Sequence, residues 1–228
     1  MQRVIDRMHM QEVTICYGMT ETAPVSAQSA VTDSIEQRVG TVGRVHPHLE
    51  IKIVDEQGKV VPRGSLGELC VRGYSVMLGY WEDEDKTFDV IDKARWMHTG
   101  DIASMDDEGF IKIKGRIKDV VIRGGENLFP KEIEDFLYTH PAVMDVQVIG
   151  LPDPRYGEEL CACIILHEGE TCNEEVIRQY CKENISHNKV PRYVRFFREF
   201  PMTASGKAQK FKLQELMRQE LNLLEDIA

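Results

Sequence analysis

Four short segments hold residue types from which a polar-ligand site could be built. In chain order they are Tyr17-Gly18-Met19-Thr20-Glu21, His98-Thr99-Gly100-Asp101, Gly115-Arg116-Ile117-Lys118-Asp119 running on to Gly124-Gly125-Glu126-Asn127, and Pro201-Met202-Thr203-Ala204-Ser205-Gly206-Lys207. Glu21 and Asp101 offer carboxylates, and Arg116, Lys118 and Lys207 offer cations. Local basic positions of this kind can meet a phosphate whatever the net charge of the chain. Taken singly, each segment has an ordinary reading. Tyr-Gly at a strand end is a turn after a core aromatic, Thr-Gly-Asp a hairpin turn, Gly-Gly a loop hinge, and Ser-Gly-Lys a solvated turn. Their coincidence in this order is what points to function.

The elements that must position them fall into two groups. Residues 1–11 read as helix, with Val4, Ile5, Met8 and Met10 apolar between charges. Residues 12–17 read as a short buried strand, and 22–37, rich in Ser, Thr, Ala and Pro, as loop. From Gly40 to Tyr80 the alternation predicts strands at Glu50–Val54 and Gly67–Gly73, separated by the turn Asp55-Glu56-Gln57-Gly58, in a small bent sheet or partial barrel. A helical patch near 83–92 and a hairpin about Asp106-Asp107-Glu108-Gly109 follow. Beyond Arg116–Lys118, taken as the boundary, the pattern becomes a compact α+β unit of about 110 residues. Pro130 opens a helix with Ile133, Phe136 and Leu137 on its apolar face. Strands are expected at Val143–Ile149, Leu160–Leu166 (apolar on both faces, hence central) and Tyr193–Phe197. Thr171-Cys172-Asn173-Glu174 resembles a capping box opening a helix with a buried stripe of Val176, Ile177, Tyr180 and Cys181. Phe211–Leu221 is a last helix.

Composition narrows the classes. The 228 residues are 42% apolar, with 28 basic and 38 acidic side chains and a formal charge of −10. That excludes a general nucleic-acid binder, which needs clustered Lys and Arg. No apolar run reaches the roughly 18 residues of a membrane span. The six cysteines include no CxxC pair, so they read as reduced, mostly buried thiols rather than a zinc site.

Together with the block from Gly67-Glu68-Leu69 to Gly79-Tyr80-Trp81, the four segments resemble the adenylate-forming superfamily of acyl-CoA synthetases, adenylation domains and luciferases. The likeness covers essentially the whole chain and is strongest to the mitochondrial medium-chain acyl-CoA synthetases. It implies an α+β fold: residues 1–115 as the C-terminal, β-rich portion of the large adenylating domain, 116–118 as a hinge, and 119–228 as a mobile lid domain. It implies an enzyme that uses ATP, Mg²⁺ and CoA to activate a fatty acid through an acyl-adenylate, in the mitochondrial matrix. By the same resemblance Lys207 is the catalytic lysine, bridging carboxylate and nucleotide, with Ser205 and Gly206 letting its loop enter a tight cleft. Tyr17 stacks on adenine and Gly18 allows close approach. Thr20 bonds a phosphate oxygen, and Glu21 helps hold Mg²⁺, a hard cation that prefers oxygen ligands. Asp101 accepts from both ribose hydroxyls, Arg116 contacts ribose or phosphate, and Lys118 is the hinge. Gly124, Gly125 and Glu126 line the pantetheine channel of CoA.

Two departures qualify the resemblance. The family's Gly/Ser/Thr-rich phosphate loop, expected upstream of Tyr17, is not among these residues, nor is most of the acyl pocket. The chain is therefore expected to be a C-terminal fragment missing the N-terminal half of its own enzyme, inactive alone, with residues 1–114 exposing an apolar face. His98 stands where many relatives have Arg. The alternatives are a truncated, non-catalytic nucleotide- or partner-binding product, and an adenylation domain that loads a carrier protein.

Overall fold

The computed structural model describes residues 2–204 and 206–223, with side chains from residue 4 onward. The chain mixes α and β structure and divides into two compact units, residues 1–117 and 118–228. No helix among the described residues is long and apolar enough to cross a membrane.

The first unit runs α1 (Gln2–Met8), β1 (Cys16–Tyr17), β2 (Ala27–Gln28), α2 (Ile35–Gly40), β3 (Arg44–Val45), β4 (Leu49–Val54), β5 (Gly67–Gly73), α3 (Glu84–Val90), β6 (Met97–Met105) and β7 (Ile111–Arg116). Strands β4 to β7 pair antiparallel in sequence order, and β1 to β3 form a separate three-stranded sheet. The expected single bent sheet is thus two sheets, and the larger is open rather than a closed barrel. Its period-2 alternation buries Ile53, Leu69, Val71, Met97, Ala103 and Ile111 in one cluster. The hairpin between β6 and β7 turns at the expected Asp106–Gly109, where the Asp106 carboxylate accepts the Phe110 N–H at 2.8 Å.

Three local expectations fail here. The stretch 22–37 is not all loop: it holds β2 and the start of α2. Ser34 and Gln37 form a reciprocal capping box, at 3.2 and 3.1 Å, that starts α2 without any apolar periodicity. The strand over 12–17 shrinks to Cys16–Tyr17, because the Ile15 N–H goes to the Ser29 hydroxyl at 2.9 Å instead of to a ladder carbonyl. Nor is that strand buried, since Cys16 is exposed. Tyr74, Leu78, Trp81 and Phe88 are also exposed.

The second unit runs β8 (Val121–Arg123), β9 (Glu126–Leu128), α4 (Pro130–Leu137), β10 (Val143–Asp153), β11 (Gly157–Leu166), α5 (Glu174–Asn184), β12 (Tyr193–Phe196) and α6 (Lys210–Glu220). Strand β11 is central. It pairs antiparallel with β10 along its length, touches β8 at Gly157, and pairs parallel with β12. Its residues alternate between two cores, as the apolar run predicts. Leu160, Ala162 and Ile164 pack with Ile133 and Leu137 of α4 and Ile177 and Cys181 of α5. Cys161, Cys163 and Ile165 pack with Leu213 and Met217 of α6. The β10–β11 turn is tied by Asp153, whose Oδ1 accepts the N–H groups of Arg155 and Tyr156, each at 2.9 Å.

Pro130 occupies the first turn of α4, as expected. The cap of α5 is Asn173, accepting from the Val176 N–H at 3.0 Å, rather than a box begun by Thr171. Val176 is exposed, and only Ile177 and Cys181 of the predicted stripe are fully buried. All six thiols are free, four of them buried. Burial pushes Cys181 up to about 11.

Candidate functional site

Asp101 is the centre of the polar arrangement in the first unit. The Thr-Gly-Asp segment is not a hairpin turn but a bulge inside β6, where Gly100 takes φ +70°. On one side the Tyr17 hydroxyl donates to Asp101 Oδ2 at 2.6 Å, joining residues 84 apart in sequence. On the other side Arg116, opposite Asp101 in the β6–β7 register, brings Nε to 3.4 Å from Oδ1. The Asp101 side chain is only 13% exposed, against 52% for Arg116. Burial first, and then the bond to Asp101, push the Tyr17 phenol above its ordinary range. Tyr17 therefore stays a neutral donor at physiological pH.

The bulge is backed by residues that lie in the quoted motifs but were given no part in holding Asp101. Glu68 of β5 accepts the Gly100 N–H at 3.0 Å through one carboxylate oxygen and meets His98 Nδ1 at 2.7 Å through the other. Thr99 donates to the Leu69 carbonyl at 2.7 Å and accepts the Asp101 N–H at 3.1 Å. Ligand atoms of Glu68, Cys70 and His98 lie within 4.8 Å of one another, a convergence that cysteine spacing alone could not reveal. Burial, then Glu68, pushes the Cys70 thiol up to about 12.

Around Tyr17 the chain is tightly packed. A Cβ on Gly18 would stand 1.6 Å from the Pro24 carbonyl oxygen, so the close approach this glycine allows within the unit is that of its own backbone. Thr20 opens a short 3₁₀ turn, Thr20–Thr22, and is exposed. The hydroxyl that closes this turn belongs to Thr22, bonded to Met19 at 3.2 Å. Glu21 is half-buried, and its Oε1 accepts from the Tyr80 hydroxyl at 2.9 Å. Its second oxygen suffices for an ion such as Mg²⁺, which takes one or two protein carboxylates and fills its shell with water and phosphate. Burial and Glu21 raise the Tyr80 phenol.

The second unit carries the remaining expected residues at separate places. Lys118 lies, exposed, in the 3₁₀ turn Ile117–Asp119 at the boundary. Gly124 and Gly125, with φ +60° and +83°, are the two-residue turn between paired Arg123 and Glu126. Glu126 accepts from the Asn188 amide at 2.5 Å. The hairpin is anchored by Arg123, which reaches Glu159 at 2.8 Å with only 15% and 2% of the two side chains exposed. Lys207 sits on a loop closed by main-chain bonds between Thr203 and Lys207 (2.8 Å) and between Gly206 and Thr203 (3.0 Å). Its side chain is exposed, and Nζ has no partner among the described residues. Ser205, expected to ease this loop into a cleft, lies outside the described residues.

The arrangement resembles known proteins throughout. The pattern of the AMP-binding enzyme family matches residues 1–81, and that of the AMP-binding enzyme C-terminal domain matches residues 132–207. The medium-chain acyl-CoA ligase ACSF2, mitochondrial, of Rattus norvegicus is 52% identical over 96% of this chain and 36% of its own length. The putative acyl-CoA synthetase YngI of Bacillus subtilis (strain 168) is 51% identical over 98% of the chain and 41% of its own. The chain thus spans little more than a third of these relatives. ATP-bound MatB from Rhodopseudomonas palustris superposes with a TM-score of 0.83 at 34% identity, over 91% of this chain and 41% of that one. The o-succinylbenzoate CoA synthetase MenE from Bacillus subtilis, in complex with its acyl-adenylate intermediate, gives 0.85 at 31% identity, over 93% and 43%. With both family patterns matched in order and about half its residues shared with named acyl-CoA ligases, the chain belongs to the AMP-binding enzyme family.

Proposed function

We propose that this chain serves an AMP-forming acid–thiol ligation. A fatty acid, of medium length by likeness to the named ligases, attacks the α-phosphorus of ATP to give acyl-adenylate and pyrophosphate. The CoA thiol then displaces AMP to give the thioester. The observation that carries this reading is the half-buried Asp101 carboxylate, held between the Tyr17 hydroxyl and Arg116. An ionised carboxylate has about four acceptor sites, so Asp101 can keep Tyr17 and still take both ribose hydroxyls. Tyr17, its hydroxyl committed, offers its ring to adenine, and Arg116 reaches ribose or phosphate. Thr20 presents an exposed hydroxyl to a phosphate oxygen. Glu21 would hold Mg²⁺, which supplies charge neutralisation on the phosphates when bound. Lys207 supplies the cation that bridges carboxylate and nucleotide, Lys118 is the hinge, and Gly124, Gly125 and Glu126 line the path of the pantetheine arm.

Because positioning of reactants accounts for about 7–11 kcal/mol of such a barrier, and the phosphate-loop motif is not among these residues, the isolated chain should bind nucleotide without forming acyl-adenylate. Calorimetry with AMP tests the first half; a wild-type chain indifferent to AMP at millimolar concentration overturns the site. ATP–pyrophosphate exchange with octanoate tests the second, and robust exchange by the chain alone overturns it. One other reading is a non-catalytic nucleotide-binding product. Failure of the chain to restore thioester synthesis when combined with the N-terminal part of a relative would favour that reading. CoA dependence of any restored activity separates ligation from loading of a carrier protein. A mitochondrial location follows the animal relatives alone, and cell fractionation tests it.

A further inference from the structure

We infer that Glu68 is a positioning residue for Asp101: its carboxylate replaces the ladder acceptor that the bulge in β6 removes, and so holds the turn that aims Asp101 at Tyr17 and Arg116. The register forces the problem. Glu68 and Cys70 of β5 pair with Ile102 and His98 of β6, so two steps along β5 are matched by four along β6. Thr99, Gly100 and Asp101 therefore stand opposite Leu69 alone, and the main-chain groups they turn toward β5 have lost the regular partners of an antiparallel ladder.

Side chains take over at three main-chain groups here. Thr99 covers the Leu69 carbonyl and the Asp101 N–H. Glu68 covers the Gly100 N–H at 3.0 Å and, through its second oxygen, fixes His98 at the start of the bulge at 2.7 Å. The Glu68 side chain is 19% exposed, enough shielding for these bonds to matter against water. Asp101 follows Gly100 directly, and a glycine reaches a φ of +70° about as easily as its alternatives, so the tie on its N–H is what selects among them. Two polar atoms are needed at position 68, an acceptor for the Gly100 N–H and a hydrogen-bonding partner for His98 Nδ1. Gln supplies an acceptor for Gly100 and a donor for His98. Met fills similar space and supplies neither.

The consequence for nucleotide binding rests on reading Asp101 as the ribose-binding carboxylate, so the test has one arm that does not depend on it. In the 228-residue chain labelled with ¹³Cζ-tyrosine, the Tyr17 resonance is assigned with Y17F, and its shift in D101A marks loss of the hydrogen bond. E68M should move that resonance towards the D101A position, and E68Q should leave it in place. A folded E68M with an unmoved Tyr17 resonance overturns the inference. If E68M does not fold, E68D, one methylene too short to span both partners, must move the resonance, and an unmoved one overturns it equally. In the second arm AMP affinity should fall about tenfold in E68M and stay within about threefold in E68Q. AMP affinity unaffected by D101A defeats the ribose reading while leaving the first arm standing. AMP affinity lost in D101A but kept in E68M defeats the positioning role.

Discussion

Asp101 and Lys207, the two charged groups on which the proposed chemistry turns, are held in opposite ways. Asp101 sits 13% exposed between a phenol and a guanidinium, on a bulge stitched by Thr99 and Glu68. Lys207 stands on an exposed loop tied by its main chain, its ammonium uncommitted among the described residues. A lysine side chain keeps up to about 1.5–2 kcal/mol of rotamer freedom until something orders it. A group whose task is to bind one part of a nucleotide gains from being ordered beforehand. A group that serves one half-reaction and must be absent from the next gains from having no partner to leave.

This contrast can be broken or sharpened by experiment, and the largest effect is expected at Lys207. In a full-length ligase containing this chain, K207A should lower ATP–pyrophosphate exchange by about 100-fold or more. It should leave thioester formation from supplied acyl-adenylate within about threefold. Equal loss of both steps would erase the distinction between a resident and a visiting group. Next is R123A, which leaves the buried Glu159 carboxylate only the Arg192 guanidinium, at 4.0 Å. Breaking such a pair costs about 3–5 kcal/mol, read as a lower denaturation midpoint of the second unit with the first unit's transition unmoved. D101A should weaken AMP binding by the chain about 10- to 100-fold, the worth of one or two hydrogen bonds to a charge. K207A should leave that binding nearly untouched, and a comparable loss would mean that Lys207 is ordered by nucleotide alone.

Y17F is a smaller test, expected to cost about 1.5–3 kcal/mol through the lost bond to a carboxylate. It carries a pH signature. The Tyr17 phenol is raised in the folded state, so its contribution is complete below the unfolded pKa near 10 and is lost as pH rises beyond that toward the folded value. The wild-type chain should therefore lose stability above about pH 10 more steeply than Y17F. The smallest effect is V176S, expected within about 0.5 kcal/mol because Val176 is exposed. Its helix neighbour I177A should cost about 2–5 kcal/mol.

That last pair shows where the sequence was legible. The apolar run of β11 announced a central strand because its alternate residues feed two cores, and Pro130 and Asp106–Gly109 announced a helix start and a turn through local chemistry. The α5 stripe was overcounted because a run of apolar types does not say how wide the covering sheet is. Ser34-Ile35-Glu36-Gln37 carried a readable capping box that the surrounding Ser, Thr and Pro residues obscured. At the candidate site the motifs named Tyr17, Asp101 and Arg116, which the structure brings together. The role of Glu68 was not legible, since it depends on a register between strands 30 residues apart. The packing reason for Gly18 was hidden in the same way, in a carbonyl six residues downstream.

The Tyr17–Asp101 bond also has a place in time. The β10–β11 hairpin is closed by a turn of a few residues tied by Asp153, so its ends meet on the timescale of about 1–10 µs typical of hairpins. Tyr17 and Asp101 close a loop of 84 residues, and such a contact bears its entropy cost before any local reward. The carboxylate proposed to receive the nucleotide is thus fixed by a contact of long sequence separation, unlike the local turns of both hairpins. A nucleotide bound there would help hold closed a loop of 84 residues, setting its binding energy against that entropy cost.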